Sequence, residues 1–283
     1  MNGTPSQRAV GRRLAGAVGA ALCLAAGAAL AQDEVPFITT PDQVTLTMLE
    51  LAAVGATDRV IDLGSGDGRI VITAARRFGA RGLGVEIVPE LVKKSRELAR
   101  TAGVEDRVEF REQDLFRTDL GSATVVTMYL LPAVNLQLRP RLLTLAPGTR
   151  VVSHDWDMGD WAPDRTLSVD VPDKAVGREK LSRVHLWVVP AAVHGAWCAS
   201  GSRLDITQRF QTFSATLTAA DSPVPLLVFD GRLEGSTLRA NGAPAFELKA
   251  EGDVLRTRRS DAALAPGWPA QAVFQRATSG RCR

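Results

Sequence analysis

Arg59-Val60-Ile61-Asp62-Leu63-Gly64-Ser65-Gly66-Asp67-Gly68-Arg69-Ile70-Val71 reads as a strand, a glycine turn and the start of a helix. Val60, Ile61 and Leu63 are the apolar strand positions, and Ile70, Val71, Ile72, Ala74 and Ala75 open an amphipathic helix. Gly64, Gly66 and Gly68 stand between them, where a sharp bend favours residues that accept positive φ and let backbone approach a ligand. A helix starting behind such a turn presents unpaired N–H groups. The spacing is G-x-G-x-G, with Asp62 two residues ahead of the first glycine. The dinucleotide fingerprint G-x-G-x-x-G/A would put a small residue where Arg69 stands, and a P-loop would continue with lysine.

Working outward, Gly82–Ile87 reads as a second strand ending in Glu86, about 20 residues past the glycines, where an acid can accept hydrogen bonds from two ribose hydroxyls. Val108–Leu115 is the third unit, with Asp114 and Leu115 just past its strand. Ala123–Tyr129 is the fourth strand, and Arg150–Asp155 the fifth, after a turn at Pro147-Gly148. Strands alternating with helices such as Pro89–Ala102 predict an α/β fold, a parallel sheet covered on both faces. Ligands of such sheets bind beyond the carboxyl ends of the strands, where Asp62, Glu86, Asp114 and Tyr129 would gather. Singly, each acid also reads as a solvated loop residue, Gly82 and Gly84 as relief of packing, and an Asp67–Arg69 contact as structural.

The glycine pattern with an acid at the strand end resembles the first motif of class I S-adenosylmethionine (SAM) methyltransferases. That resemblance implies a Rossmann-like methyltransferase sheet and SAM as cofactor. It implies binding by Asp62, Gly64, Ser65, Gly66, Gly68, Glu86, Asp114 and Leu115, with Asp114 where the family often reads the adenine amino group. Upstream lies Val35-Pro36-Phe37-Ile38-Thr39-Thr40-Pro41, then a helical pattern of Val44, Leu46, Met48, Leu49 and Leu51. With D-L-G-S-G-D-G-R-I-V from Asp62 and V-V-S-H-D-W from Val151, this segment resembles bacterial relatives of a lysine methyltransferase family. Its mitochondrial members modify the ATP synthase c-subunit or the adenine nucleotide translocase. The likeness covers roughly residues 35–190. It implies that Thr39 and Thr40 fold over the methionine end of SAM, and that the acceptor is a protein lysine.

Methyl transfer from a sulfonium is an in-line displacement that depends on orientation and a dry site. An amine acceptor must first lose its proton, through burial or a nearby base. The catalytic candidates are Tyr129, the only tyrosine, as a hydrogen-bond partner of the nucleophile, and His154 and Asp155 as bases, with Trp156 as a wall. Their structural alternatives are a core aromatic for Tyr129 and a strand-end loop for the other two. Met128-Tyr129-Leu130-Leu131-Pro132 lacks the Asn/Asp-Pro-Pro-aromatic signature of amide and adenine N-methyltransferases. No metal site is expected, because His154, His185 and His194 have no i, i+4 partner and the cysteines lack paired spacing.

The first 31 residues read as a signal peptide. Arg8, Arg12 and Arg13 precede the apolar run Leu14–Leu30, which closes with Ala29-Leu30-Ala31. Cleavage after Ala31 and a periplasmic or secreted location are expected, with an uncleaved membrane anchor as the alternative. The whole chain carries 34 basic and 31 acidic residues, and removing the three leader arginines balances them. No nucleic-acid partner is expected without a basic stripe. Cys23 leaves with the leader, so Cys198 and Cys282 remain as a pair suited to a disulfide.

The pattern changes near residue 190, which divides the mature chain into a methyltransferase domain at 32–190 and a small all-β domain at 191–283. Leu181–Pro190 is expected as the last strand of the first sheet, with Thr166–Val171 as its antiparallel partner. Beyond it, short alternating runs are separated by turn signals at Asp230-Gly231, Asn241-Gly242 and Glu251-Gly252-Asp253. They predict a small antiparallel barrel or sandwich plugged by Trp197 and Phe274. It serves either to hold substrate, such as a membrane-proximal protein or an apolar ligand, or to cap the catalytic domain. Three functions stay open at this point: an exported lysine methyltransferase, a non-catalytic envelope protein that binds SAM, and a methyltransferase for a quinone or lipid.

Overall fold

The computed structural model describes residues 38–175, 179–242, 246–260, 268, 272–278 and 282. The expected leader, Cys23 and Val35–Phe37 lie outside the described residues. Helix α1 (Asp42–Leu51) starts directly after Pro41 and buries Val44, Thr45, Met48, Leu49 and Leu51. Then follow β1 (Arg59–Leu63), α2 (Arg69–Phe78), β2 (Arg81–Glu86), α3 (Pro89–Thr101), β3 (Val108–Glu112), β4 (Val125–Met128), α4 (Pro132–Leu142), β5 (Arg150–His154), β6 (Arg165–Asp170) and β7 (Leu181–Val188). The seven strands stand in the order β3-β2-β1-β4-β5-β7-β6. The first five are parallel, while β7 runs antiparallel to both β5 and β6. The alternation of strands and helices predicts such a parallel sheet, and its order is the Rossmann-like one that the resemblance implies.

Both faces of the sheet are covered because its central strands are apolar on both sides. Val60, Val125 and Val152 pack with α1 and with Ile70 and Ala74 of α2. Ile61, Val126 and Val151 point the other way, to Leu138 and Leu142 of α4 and to Trp161 and Trp187. Two glycines of β2 have packing reasons. A Cβ on Gly82 would lie 2.4 Å from Cγ1 of Val71, and one on Gly84 2.6 Å from the Phe110 ring.

After β7 the chain forms a second sheet of β8 (Gly195–Ala199), β9 (Ser202–Arg209), β10 (Thr212–Ala219), β11 (Pro225–Glu234), β12 (Thr237–Ala240), β13 (Phe246–Glu251), β14 (Val254–Ser260) and β15 (Val273–Arg276). These strands close into an antiparallel barrel, with β15 pairing β8 to complete the circle. Trp197, Leu204, Leu217, Leu233, Leu255 and Phe274 fill its interior without measurable exposure. Cys198 of β8 is disulfide-bonded to Cys282, 84 residues on.

One expected turn is absent. Asp230-Gly231 continues through the middle of β11 and pairs with Ser214 and Phe213 of β10. Glycine is required there by packing, since a Cβ on Gly231 would lie 2.2 Å from the carbonyl oxygen of Arg239 and 2.5 Å from the Phe213 ring. The turns at Asn241-Gly242 and at Gly252 do separate strands, and both glycines have positive φ.

The barrel is fastened to the segment that leaves β5. Gln211 Nε2 donates to the Ala162 carbonyl at 2.6 Å, Arg232 Nη2 pairs with Asp164 at 2.6 Å, and the Phe210 ring stacks on Trp161. Among the described residues no helix is long and apolar enough to cross a membrane.

Candidate active site

Asp62 is the penultimate residue of β1 and is 2% exposed. Its Oδ1 accepts from the hydroxyl of Thr127 on β4 at 2.7 Å, a pairing set by the register Asp62↔Thr127. Burial pushes its pKa up to about 7, with Glu86 and Asp67 adding repulsion and Thr127 working against it. The turn beyond β1 uses Gly64, Gly66 and Gly68 at φ of 73°, 53° and 80°. A Cβ on Gly64 would press on Leu130, and one on Gly68 would lie 2.6 Å from the Phe110 ring.

Asp67 and Arg69 hold this turn together. Arg69 Nε and Nη2 donate to the two Asp67 oxygens at 3.0 and 2.8 Å, and Nη1 donates to the Thr40 carbonyl at 2.9 Å. Burial works to raise the Asp67 pKa, but the Arg69 guanidinium outweighs it and the net shift is downward. The Asp67–Arg69 contact is therefore an ion pair that shapes the loop. The Ser65 hydroxyl is buried without a partner beside Gly84, while its N–H donates to the Val85 carbonyl and its carbonyl accepts from the Gly68 N–H.

Glu86 ends β2, and its carboxylate is drawn over the glycine turn. Oε2 accepts from the Gly66 N–H at 2.9 Å, while Oε1 accepts from the N–H groups of Ile87 and Val88 at 2.8 and 3.1 Å. A carboxylate offers about four acceptor positions, so these bonds leave one on Oε2 for a ribose hydroxyl. Because the Gly66 N–H is spent on a carboxylate, the turn is not arranged to cradle a phosphate. Asp114 follows β3 and accepts from the Phe116 N–H at 2.8 Å, capping a short 3₁₀ turn that contains Leu115.

At the ends of β4 and β5, Tyr129 leaves β4 and its ring lies 3.9 Å, centroid to centroid, from that of His154. Burial, then the charge of Asp155, raises the Tyr129 pKa, so its hydroxyl stays protonated and can donate. His154, the last residue of β5, is 1% exposed, with Nδ1 3.3 Å from the Thr40 hydroxyl and Nε2 2.9 Å from the Ser182 hydroxyl. Burial pushes its pKa down to about 4, with Asp155 opposing and Lys174 reinforcing the shift. Asp155 has φ of 62°, and its carboxylate accepts from the Arg183 N–H and from Lys174 Nζ, the latter at 2.7 Å. Thr39 is exposed, and Thr40 is buried between Arg69 and His154.

The sequence-predicted residues thus stand at the carboxyl ends of β1, β2, β3, β4 and β5. Sequence reasoning missed Thr127, Ser182 and Lys174, which partner three of them. Thr127 has a signal in retrospect: a lone hydroxyl in the buried run Val125–Met128. Ile87 and Phe116, 68% and 38% exposed, were also missed as apolar neighbours of the two outer acids. The donor set suits SAM: an acid for an ammonium, an acid for a ribose, an acid at the nucleobase end, and a close-approach turn between them.

Residues 62–165 match the family described as ANTKMT methyltransferase domain. A protein-lysine N-methyltransferase of Saccharolobus islandicus (strain REY15A) is 44% identical over 138 residues, which are 48% of this chain and 86% of that protein. The chain belongs to the ANTKMT methyltransferase family. This family member is also 34% identical over 148 residues to the adenine nucleotide translocase lysine N-methyltransferase of Mus musculus, covering 49% of its own length and 64% of that relative. A solved structure, an RNA methyltransferase from Salinibacter ruber in complex with S-adenosylhomocysteine (SAH), is 55% identical with a TM-score of 0.51. The match spans 55% of this chain and 96% of that one. The protein is a SAM-dependent methyltransferase, and its barrel lies beyond the stretch that defines the family.

Proposed function

We propose that this chain is an exported methyltransferase that transfers the methyl group of SAM to a lysine amine of a protein. The observation that carries the reading is the row of site residues at five strand ends, with cofactor-type acids over β1–β3 and Tyr129 and Asp155 over β4–β5. When bound, SAM supplies a methyl group on a positively charged sulfur. Asp62 faces the ammonium of its amino-acid end, Glu86 holds the ribose, and Asp114 reads the adenine. Thr39 and Thr40 close over the methionine end, with Thr40 held there by Arg69.

On the acceptor side, the Tyr129 hydroxyl orients the incoming amine. Asp155, whose charge acts on Tyr129, takes up the proton lost by an ammonium, directly or through water. Leu131 and Trp156, 45% and 43% exposed, stand within two residues of Tyr129 and Asp155 and offer apolar surface at this end. Such a surface suits a lysine presented on an apolar protein surface, and desolvation there lowers the amine pKa toward its reactive neutral form.

Export is supported by the charged and apolar pattern of residues 1–31 and by the Cys198–Cys282 bridge, which suits an oxidising compartment. An RNA acceptor is the second reading, because the Salinibacter ruber relative carries that name. Incubation with methyl-labelled SAM and, separately, an envelope protein extract and total RNA decides between them. Label in lysine supports the proposal, label in RNA replaces it, and label in lipid points to a small apolar acceptor. Mass spectrometry of the purified N-terminus tests cleavage after Ala31.

A further inference from the structure

His154 stands where a base would be useful, yet its surroundings leave it no proton to move. The ring is 1% exposed and both nitrogens are engaged. Asp155 Oδ2 lies 3.5 Å from Nε2, and a carboxylate only accepts. That places the imidazole proton on Nε2, where it is donated to Ser182 at 2.9 Å with the carboxylate behind. Nδ1 is then the acceptor, and the Thr40 hydroxyl donates to it. What the imidazole does present is a face, and Tyr129 lies against it at 3.9 Å with the two planes 31° apart.

We infer that His154 is a positioning residue that fixes the Tyr129 ring at the acceptor end of the cleft, its imidazole locked in one tautomer between Thr40 and Ser182. This deepens the proposed function and rests on it for the role of Tyr129. Three elements converge on the clamp. Thr40 comes from the segment before α1, Ser182 from β7, and His154 from the end of β5. Because the carbonyl of the same Thr40 receives Arg69, the clamp also joins the glycine turn to the acceptor end. Tyr129 follows the last residue of β4, beyond the reach of the strand ladder, so a packed neighbour is what can hold its ring. A displacement of about 1 Å in a group that orients the nucleophile costs on the order of 100-fold in rate.

Tyr129 is the single tyrosine, so the full chain grown with 3-fluorotyrosine gives one fluorine resonance from the site. His154→Gln keeps a hydrogen-bonding group and removes the ring; it should shift and narrow the resonance. His154→Phe keeps a ring without the bonds and should return the resonance toward the wild-type position. Ser182→Ala removes only one side of the clamp and should shift it in the same direction by less, which also serves if His154→Gln does not fold. SAH titration of the Ser182→Ala sample should agree with wild type within about threefold, since Ser182 bonds His154 and none of the cofactor acids. An unmoved resonance in His154→Gln, or in Ser182→Ala if that variant alone folds, overturns the inference. So does an equal shift in the Gln and Phe variants. Loss of SAH binding in the wild-type chain would instead strike the proposed function and leave the resonance as an independent reading.

Discussion

Arg69 Nη1 donates to the main-chain carbonyl of Thr40 at 2.9 Å, and the same guanidinium grips Asp67 with its other two nitrogens. One side chain therefore ties the cofactor turn to the segment that the resemblance places over the methionine end. Arg69→Met keeps the aliphatic stem and removes all these bonds. The affinity for SAM should fall about tenfold, the worth of one charge-assisted hydrogen bond, as read by calorimetry. An unchanged affinity would mean that Thr39 and Thr40 do not close over the cofactor.

Asp62 should couple cofactor binding to protons. Its carboxyl is held protonated up to about pH 7 by burial, whereas an unfolded Asp loses its proton near 3.8. Its contribution to stability is therefore fully present below about pH 4 and is lost as pH rises through about 7. Asp62→Asn, which can still accept from Thr127, removes that slope, so its stability relative to wild type should rise between about pH 4 and about 7 and level off above that in thermal melts. An ammonium brought beside Asp62 would also expel the proton. The heat of SAH binding at pH 6.5 should then depend on the ionisation enthalpy of the buffer in wild type and not in the variant.

Glu86 serves the loop and the ligand at once. Glu86→Ala removes the acceptor of the Gly66 N–H as well as the site for a ribose hydroxyl. The expected loss is about 1.5–3 kcal/mol, or roughly ten- to 100-fold in Kd for SAH. Equal affinities would show that the ribose lies elsewhere.

The Cys198–Cys282 bridge ties the strand that closes the barrel to the chain beyond β15. Closing a loop of 84 residues is worth at most ~4–5 kcal/mol on the chain-entropy model and typically about 2–4. Replacing both cysteines with serine should lower the unfolding midpoint by a corresponding amount, and reductant should have no further effect on that variant. A midpoint equal to wild type would show that the barrel closes by strand pairing alone.

The first sheet was legible because its signals are local. Mostly apolar strands, three glycines in one turn and acids at successive strand ends are local signals, and Val60–Leu63 or Gly82–Glu86 can be read without knowing their neighbours. The barrel was legible as a class and less so in detail. Gly231 looks like a turn residue, yet it is a glycine because β12 and the Phe213 ring crowd it, a reason that exists only once β10, β11 and β12 are paired. The same holds for the site. Asp62 and Glu86 announce themselves by position, while Thr127, Ser182 and Lys174 acquire their roles only when distant segments bring them against Asp62, His154 and Asp155 respectively.

Isothermal titration of the folded chain with SAH tests the central claim most directly, namely that the carboxyl ends of β1–β3 form a nucleoside site lined by carboxylates. The prediction is a saturable one-to-one isotherm that weakens in Glu86→Ala. The absence of heat with a protein that melts cooperatively, at several temperatures and in more than one buffer, would contradict it.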